Sequence, residues 1–327
     1  MTRQTQFPEA VIVMPDAGQG LVRDPIQRRW LSRSNLSREP VTVSLLDRVR
    51  RATGQPDAGG PAALRIWGQT GDRPGTWLAA ADPVYLEPGL RRMRLHRLRA
   101  EELPSSDLRQ LFDELESVLG GDAAGFTCLG RGGYLRSHVA LPTPPLSPEA
   151  LDGLEPEEFL PRGGEAATYM KLLSEIQMTL HGSDVARRRE AEGRRPINSL
   201  WIWGGGTAPE VRARPIAPLF SSDPMLRGLW LSADAVTKDW PGTISACADL
   251  APQGFVAEVP DRRVGEDAHV GRLAELLSET RRLLRDGALR RLTLLFRDGL
   301  TARVEGRHGW RVWRSDSALL GRREPDA

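Results

Sequence analysis

The chain has 327 residues, 40% of them hydrophobic and 27% charged, with a formal net charge of +2. That is apolar enough to bury a core, which excludes a disordered chain, and no run approaches the roughly 18 apolar residues of a membrane span. The near-neutral charge makes no case for nucleic acid, because the arginines are spread along the chain with no basic block interleaved with aromatics.

Only two lysines, Lys171 and Lys238, stand among the 45 basic residues. Guanidinium groups suit phosphate and carboxylate capture, although a coding bias toward arginine gives the same composition. Cys128 and Cys247 are far apart and lack metal spacing, which points to two free thiols in a reducing compartment. Met1 to Glu9 has no apolar stretch of the secretory type, so the expected location is cytoplasmic.

In chain order, Ala10 to Met14 reads as a buried strand ending at Pro15-Asp16-Ala17-Gly18. Apolar positions 45, 46 and 49 predict a short helix over Val43 to Arg51, followed by a Gly/Pro loop at 54–61. Strands are expected at Trp77 to Leu86 and Met93 to Leu98, where Met93 and Leu95 alternate with Arg92, Arg94 and His96. Ser105 and Ser106 would cap a helix with the stripe Leu108, Leu111, Phe112, Leu115, Val118 and Leu119, stopped at Gly120-Gly121. Five prolines between residues 141 and 156 mark 146–164 as a linker between an N-terminal α/β region, 1–145, and a second region, 165–327.

Beyond it, Glu165 to Leu180 is an amphipathic helix with Tyr169, Leu172, Leu173, Ile176 and Leu180 on one face. Ser183 caps a second helix that ends at Gly193. Ser199 to Trp203 reads as a central strand, apolar on both faces, leading into a turn at Gly204-Gly205-Gly206 and a Pro-rich loop to Pro218. Short strands are expected at Gly228 to Leu231 and Phe255 to Val259, a helix at Leu273 to Leu284 and a buried strand at Leu292 to Phe296. A C-terminal β-hairpin would pair Thr301–Val304 with Trp310–Trp313. The alternation predicts an α/β fold, a mixed sheet layered with helices.

The most informative stretch is Glu175-Ile-Gln-Met-Thr-Leu-His181, then Arg187 to Gly193, then Pro196-Ile-Asn-Ser-Leu-Trp-Ile-Trp-Gly-Gly-Gly206. It resembles the RpfE-type regulatory proteins, with Ser174 where that family tends to have Asn. Ala81-Asp-Pro-Val-Tyr-Leu86 also looks like the family's Ala-Asp-Pro-Val-His-Leu stretch, with Tyr85 in place of His. That family in turn is similar to the archaeal-type cofactor-independent phosphoglycerate mutases of the alkaline-phosphatase superfamily, although Trp203 replaces the arginine before the glycines. The resemblance implies a phosphoglycerate-mutase-like fold. It also singles out Glu175, Gln177, His181, Asn198, Trp201, Trp203, Gly204, Gly205 and Gly206 as candidate ligand-binding residues, three of them glycines able to turn backbone N–H groups toward an anion.

An enzyme of this superfamily uses two metal ions held by Asp and His with a Ser or Thr nucleophile. On that reading the ligands to Mn or Zn would be Asp16, Asp267, His269 and Asp298. Asp267-Ala-His269 lacks the family's glycine and spacing, however. Arg297-Asp298-Gly299 stands where Asp-His is expected, and no nucleophile is assignable. Ser183 is a helix cap, neither cysteine has a neighbouring histidine, and the glycine run precedes no helix, so it is neither a P-loop nor a dinucleotide fingerprint. The expectation is a non-catalytic regulatory or binding protein without a cofactor, whose partner is a protein or a phosphorylated small molecule. The alternative is a metal-dependent mutase or phosphatase.

Overall fold

Ala10–Met14 forms all but the first residue of strand β1 (Glu9–Met14), and it is buried on both faces, as a strand covered by helices on each side must be. The computed structural model describes residues 9–18, 20–40, 42–57, 59–89, 92–98, 102–122, 124–261, 265–305 and 317–321. Two compact units emerge, residues 1–57 with 211–327, and residues 58–210. Labels below run in order along the whole chain.

The first unit holds β1, α1 (Pro25–Arg33), β2 (Asn35–Arg38), α2 (Leu45–Ala52), β8 (Leu219–Phe220), α8 (Pro224–Ser232), β9 (Thr237–Lys238), α9 (Ile244–Leu250), β10 (Gly254–Glu258), α10 (Glu266–Arg285), β11 (Arg291–Phe296) and β12 (Leu300–Glu305). Its seven strands lie in the order β2-β12-β11-β1-β10-β8-β9. β11, β1, β10, β8 and β9 run parallel, and β12 pairs antiparallel with β11 and β2. Ala10, Ile12 and Met14 pack with Leu292, Leu294 and Phe296 under Leu31 of α1, Ile244 and Cys247 of α9, and Leu273 and Leu277 of α10, while α2 packs on β1 and β11. Parallel pairing brings the carboxyl ends of β8, β10, β1 and β11 to one edge, the usual ligand edge of such sheets.

The second unit holds α3 (Pro61–Thr70), β3 (Trp77–Pro88), β4 (Met93–Arg97), α4 (Ser105–Leu119), β5 (Ala124–Leu129), β6 (Gly132–Ser137), α5 (Pro148–Leu151), α6 (Ala166–His181), α7 (Asp184–Ala191) and β7 (Ser199–Gly206). The sheet runs β4-β3-β6-β5, with β7 antiparallel to β3. One face, with Ala79, Ala81, Leu135, Leu200 and Ile202, is covered by the stripes of α4 and α6, and α3 packs on β3 and β7.

Several expectations are corrected. Residues 146–164 are not a linker between regions. Leu146 and Leu151 are buried, Pro148 and Pro156 each open a helical turn, and Leu95 exchanges backbone hydrogen bonds with Leu154 (3.0 Å) and Gly153 (2.8 Å). The division falls instead at the Gly/Pro loop near 57 and near residue 210. Gly228–Leu231 is helical, part of α8, because Asp223 accepts the Leu226 N–H at 2.9 Å and Pro224 occupies the first turn. β7 is buried but not central: among the described residues its one strand partner is β3. Thr301–Val304 lies in β12, which forms a hairpin with β11, and Trp310–Trp313 lies outside the described residues. α4 has Pro104 at its cap position, with no side-chain cap from the serines.

Candidate functional site

The carboxyl edge of the first unit is where strand-end residues meet. β10 ends in Glu258, which is 5% exposed. Ser221, after β8, donates to Glu258 Oε2 at 3.0 Å and accepts the Asp223 N–H at 2.9 Å. Arg297, after β11, reaches across the end of the intervening β1 and donates to Glu258 Oε1, while its backbone N–H donates to Met14 O at 3.1 Å. Burial raises the Glu258 carboxyl above the usual carboxylate range, opposed by the charge and hydrogen bond of Arg297, and Asp223 adds to the rise. An isolated carboxylate there would be costly, so the guanidinium is what makes its burial tolerable.

The next residue, Asp298, accepts the Gly18 N–H at Oδ2 (2.7 Å) and the Leu300 N–H at Oδ1 (3.3 Å). Arg38 of β2 pairs with the same Oδ2 at 3.3 Å and donates to Asp298 O at 2.8 Å. A Cβ on Gly18 would stand 2.5 Å from Asp298 Oδ2 and 2.8 Å from Arg38 Nη2, so a side chain there would displace this ion pair. His269, on the first turn of α10, places Nε2 3.0 Å from Asp16 O. A carbonyl only accepts, so this nitrogen carries the proton. Asp267 points outward, its side chain 94% exposed, to Arg23 at 3.0 Å.

The structure therefore brings Asp16, His269 and Asp298 to one loop, and leaves Asp267 apart. Asp298 and the loop-facing nitrogen of His269 are committed to other partners. Both Asp298 oxygens are engaged by N–H donors, the His269 nitrogen facing the loop is a donor, and among the described residues no group of three His, Cys, Asp or Glu side chains is arranged to hold an ion. Fixed guanidinium groups, Arg38 and Arg297, supply the positive charge beside these carboxylates. Arg38, Glu258, Ser221 and Gly18 are not among the residues the sequence singles out as ligands; for Glu258 and Ser221 the available signal is a polar residue closing an apolar strand run.

The candidate set of the second unit is dispersed. Leu200 and Ile202 face α6, so strand alternation puts Trp201 and Trp203 on the opposite face from Glu175, Gln177 and His181. His181 is exposed and Glu175 pairs loosely with Lys171 at 3.9 Å. Gln177 Nε2 lies 3.3 Å from Ser199 Oγ. Asn198 bonds both backbone groups of Leu86, accepting from N at 2.7 Å and donating to O at 2.9 Å. Trp201 donates to Leu146 O at 2.8 Å.

The glycines form no open turn. They end β7 in a β-bulge, two residues between Trp203 and Gly206 lying against one between Leu78 and Ala80, with Gly204 at φ +62°. Gly204 N–H is bonded to Pro144 O (2.8 Å) and Gly205 N–H to Thr143 Oγ1 (2.9 Å), so neither faces an anion. Gly206 instead lets the start of α3 approach, since a Cβ on Gly206 would lie 2.6 Å from Gly60 Cα.

The polar centre of this unit was not foreseen as such. Asp82 binds Arg65 through both oxygens at 3.0 Å and accepts the Trp203 indole N–H at 2.7 Å. Arg65 also donates to Tyr134 Oη (2.9 Å) and Gly133 O (2.7 Å), and Tyr134 donates to Gln69 Oε1 (2.7 Å). Burial pushes the Tyr134 hydroxyl up to about 12, against the pull of Arg65. Each nitrogen of this guanidinium has an internal acceptor, so the cluster fastens α3 to the sheet.

No family model matches the chain. It is 29% identical over 120 residues to the 2,3-bisphosphoglycerate-independent phosphoglycerate mutase of Methanosarcina barkeri, covering 36% of this chain and 30% of that protein. It is 27% identical over 136 residues to the probable 2,3-bisphosphoglycerate-independent phosphoglycerate mutase of Geobacter sulfurreducens, covering 39% and 33%. The matched part thus spans about a third of these relatives' length. Among solved structures, the PH0037 protein of Pyrococcus horikoshii aligns with a TM-score of 0.52 at 13% identity, over 92% of this chain and 88% of that one. The cofactor-independent phosphoglycerate mutase of Thermoplasma acidophilum aligns over 91% and 90% with a TM-score of 0.43 at 15% identity. The chain is distantly similar to cofactor-independent phosphoglycerate mutases and has a mixed α/β fold. Among the described residues no helix is long and apolar enough to cross a membrane.

Proposed function

We propose that the chain is a non-catalytic regulatory protein of the RpfE type on a phosphoglycerate-mutase-like scaffold, binding a phosphorylated small molecule or a protein partner rather than turning one over. The observation that carries this reading is the state of Asp298: its carboxylate is committed to Gly18 N–H, Leu300 N–H and Arg38. A carboxylate so engaged has little left to give a metal ion, and a phosphoenzyme route needs both an intact clamp and a positioned hydroxyl. Ser221, the hydroxyl nearest this edge's buried carboxylate, is 0% exposed and already bonded on both sides. The RpfE-type assignment is supported by the motif from Glu175 to Gly206 and by Ala81 to Leu86.

The competing reading, a metal-dependent mutase or phosphatase, draws on the meeting of Asp16, His269 and Asp298 at one loop and on the names of the relatives. Calorimetric titration with 3-phosphoglycerate and with inorganic phosphate, in EDTA and then in excess Mn²⁺, separates the two. The regulatory reading predicts the same affinity in both buffers, or no small-molecule binding and a protein partner instead. Binding that appears only with Mn²⁺ favours the enzyme.

A further inference from the structure

α6 carries its buried stripe on one side and an exposed methionine stripe on the other. Tyr169, Leu173, Ile176 and Leu180 turn inward, whereas Ala167, Met170, Lys171, Ser174, Met178 and His181 are exposed. Met178 is 76% exposed, the highest value among the large hydrophobic residues described. Flexible thioether side chains suit a surface that binds. A helix face made for water alone carries charges, as α10 does with Glu275, Arg281, Arg282 and Arg285 exposed. In α6 the only Lys, Arg, Asp or Glu residues are Lys171 and Glu175, which touch each other loosely at 3.9 Å.

Ser174 lies midway between the two methionines, and its hydroxyl donates to Met170 O at 2.9 Å. It is therefore small and internally satisfied, a point over which a second helix can come close. We propose that this face is an interface with a second copy of the chain, α6 packing antiparallel to the other α6 about a two-fold axis through Ser174. The helix is self-complementary in that register. Residues equally far on either side of 174 come level, so Met170 meets Met178 of the second copy and Ala167 meets its His181. Lys171 and Glu175 lie about 60° and 100° round the helix from Ser174 in the same sense, and across the axis they come within about 3 Å of each other along the helix direction. Two symmetric ion pairs between the copies thus replace the loose contact within each. Parallel pairing would instead set Lys171 against Lys171. A contact of two helices is small, so the association is reversible and depends on concentration. The interface goes beyond the function proposed above and requires no particular ligand.

Sedimentation equilibrium of the full chain, from low to high micromolar concentration, should show a monomer–dimer equilibrium that Met178→Glu weakens at least tenfold. Charge reversal tests the register. Lys171→Glu and Glu175→Lys chains each place like charges across the axis and should self-associate more weakly than the parent, while their equimolar mixture should recover the parent's affinity. In a Cys128→Ser background, oxidation should link Ser174→Cys chains to each other but not Ala167→Cys chains, whose altered positions lie about 21 Å apart along the helices, too far for a disulfide. A chain that stays monomeric throughout would overturn the proposal and leave the face to another protein. A dimer that Met178→Glu leaves intact, a mixture no stronger than its components, or equal crosslinking at 174 and 167 would overturn it as well.

Discussion

Trp203 and Asp82 are joined by an indole N–H to carboxylate bond of 2.7 Å, and the same carboxylate grips both Asp-facing contacts of Arg65 at 3.0 Å. Arg65 in turn lies 4.5 Å from the Tyr134 ring centroid and 5.9 Å from that of Trp203. Removing the carboxylate strands a guanidinium that has little access to water. Asp82→Ala should cost about 3–5 kcal/mol of unfolding free energy, and Trp203→Phe, which removes one bond to a charged acceptor, about 1.5–3 kcal/mol. Urea denaturation of the three proteins measures both.

Arg297→Gln should make stability depend on pH through Glu258. Burial holds this carboxyl above its unfolded value, with Asp223 pushing the same way and Arg297 and Ser221 pushing back. The folded state therefore binds this proton more tightly than the unfolded one. Stability from the protonated form is complete below the unfolded carboxylate value and is lost as pH rises through the folded one. Without Arg297 the folded value climbs further, so the variant's deficit against the parent should be larger at pH 8 than at pH 5. Adding Glu258→Gln should flatten the difference; thermal melts across pH 5–8 read it directly.

Gly60→Ala should destabilise strongly, because its Cβ would meet Gly206 backbone atoms at 2.5–2.7 Å with no flexible side chain to yield. Overpacking of this kind costs about 1–3 kcal/mol or more. Gly71→Ala, at φ +81° but with open space around its Cβ, should lose only the left-handed backbone penalty of about 1–2 kcal/mol. Comparing their denaturation midpoints separates close packing from conformational cost.

The α6–β7 motif is predicted to act as internal fastening. Asn198→Ala removes both bonds to the Leu86 backbone and should cost about 2–3 kcal/mol, whereas Gln177→Leu, losing a single 3.3 Å contact to Ser199, should cost about 1 kcal/mol or less. Equal losses in the two variants would contradict this assignment of the contacts.

Local pattern made much of the fold legible. The doubly apolar runs at 10–14 and 292–296 are the neighbouring strands β1 and β11, and the stripes from Leu108 and Tyr169 are the faces of α4 and α6 that bury one side of the second sheet. Where the reading failed, a long-range or capping term decided. Gly228-Leu-Trp-Leu231 has the composition of a strand, but the Asp223-Pro224 start dictates a helix. Pro148 and Pro156 open helical turns against β4 instead of spacing two domains. Gly206 serves an approach by Gly60, and Gly205 one by Trp77, partners more than about a hundred residues earlier in the chain that no local window reveals. The ion pairs Arg38–Asp298 and Arg297–Glu258 likewise join residues remote in sequence. Asp298 could be named as a candidate ligand from sequence, but the arginine that holds it could not.

The central claim is that this scaffold does not turn over phosphoglycerate, and a coupled mutase assay in excess Mn²⁺, at high protein concentration, tests it most directly. The proposed function predicts no rate above the buffer control, since a route without a positioned hydroxyl and with Asp298 occupied would lack transition-state stabilisers worth several kcal/mol each. Mutase turnover in the parent protein that disappears in Asp16→Ala and in Asp298→Ala would contradict it.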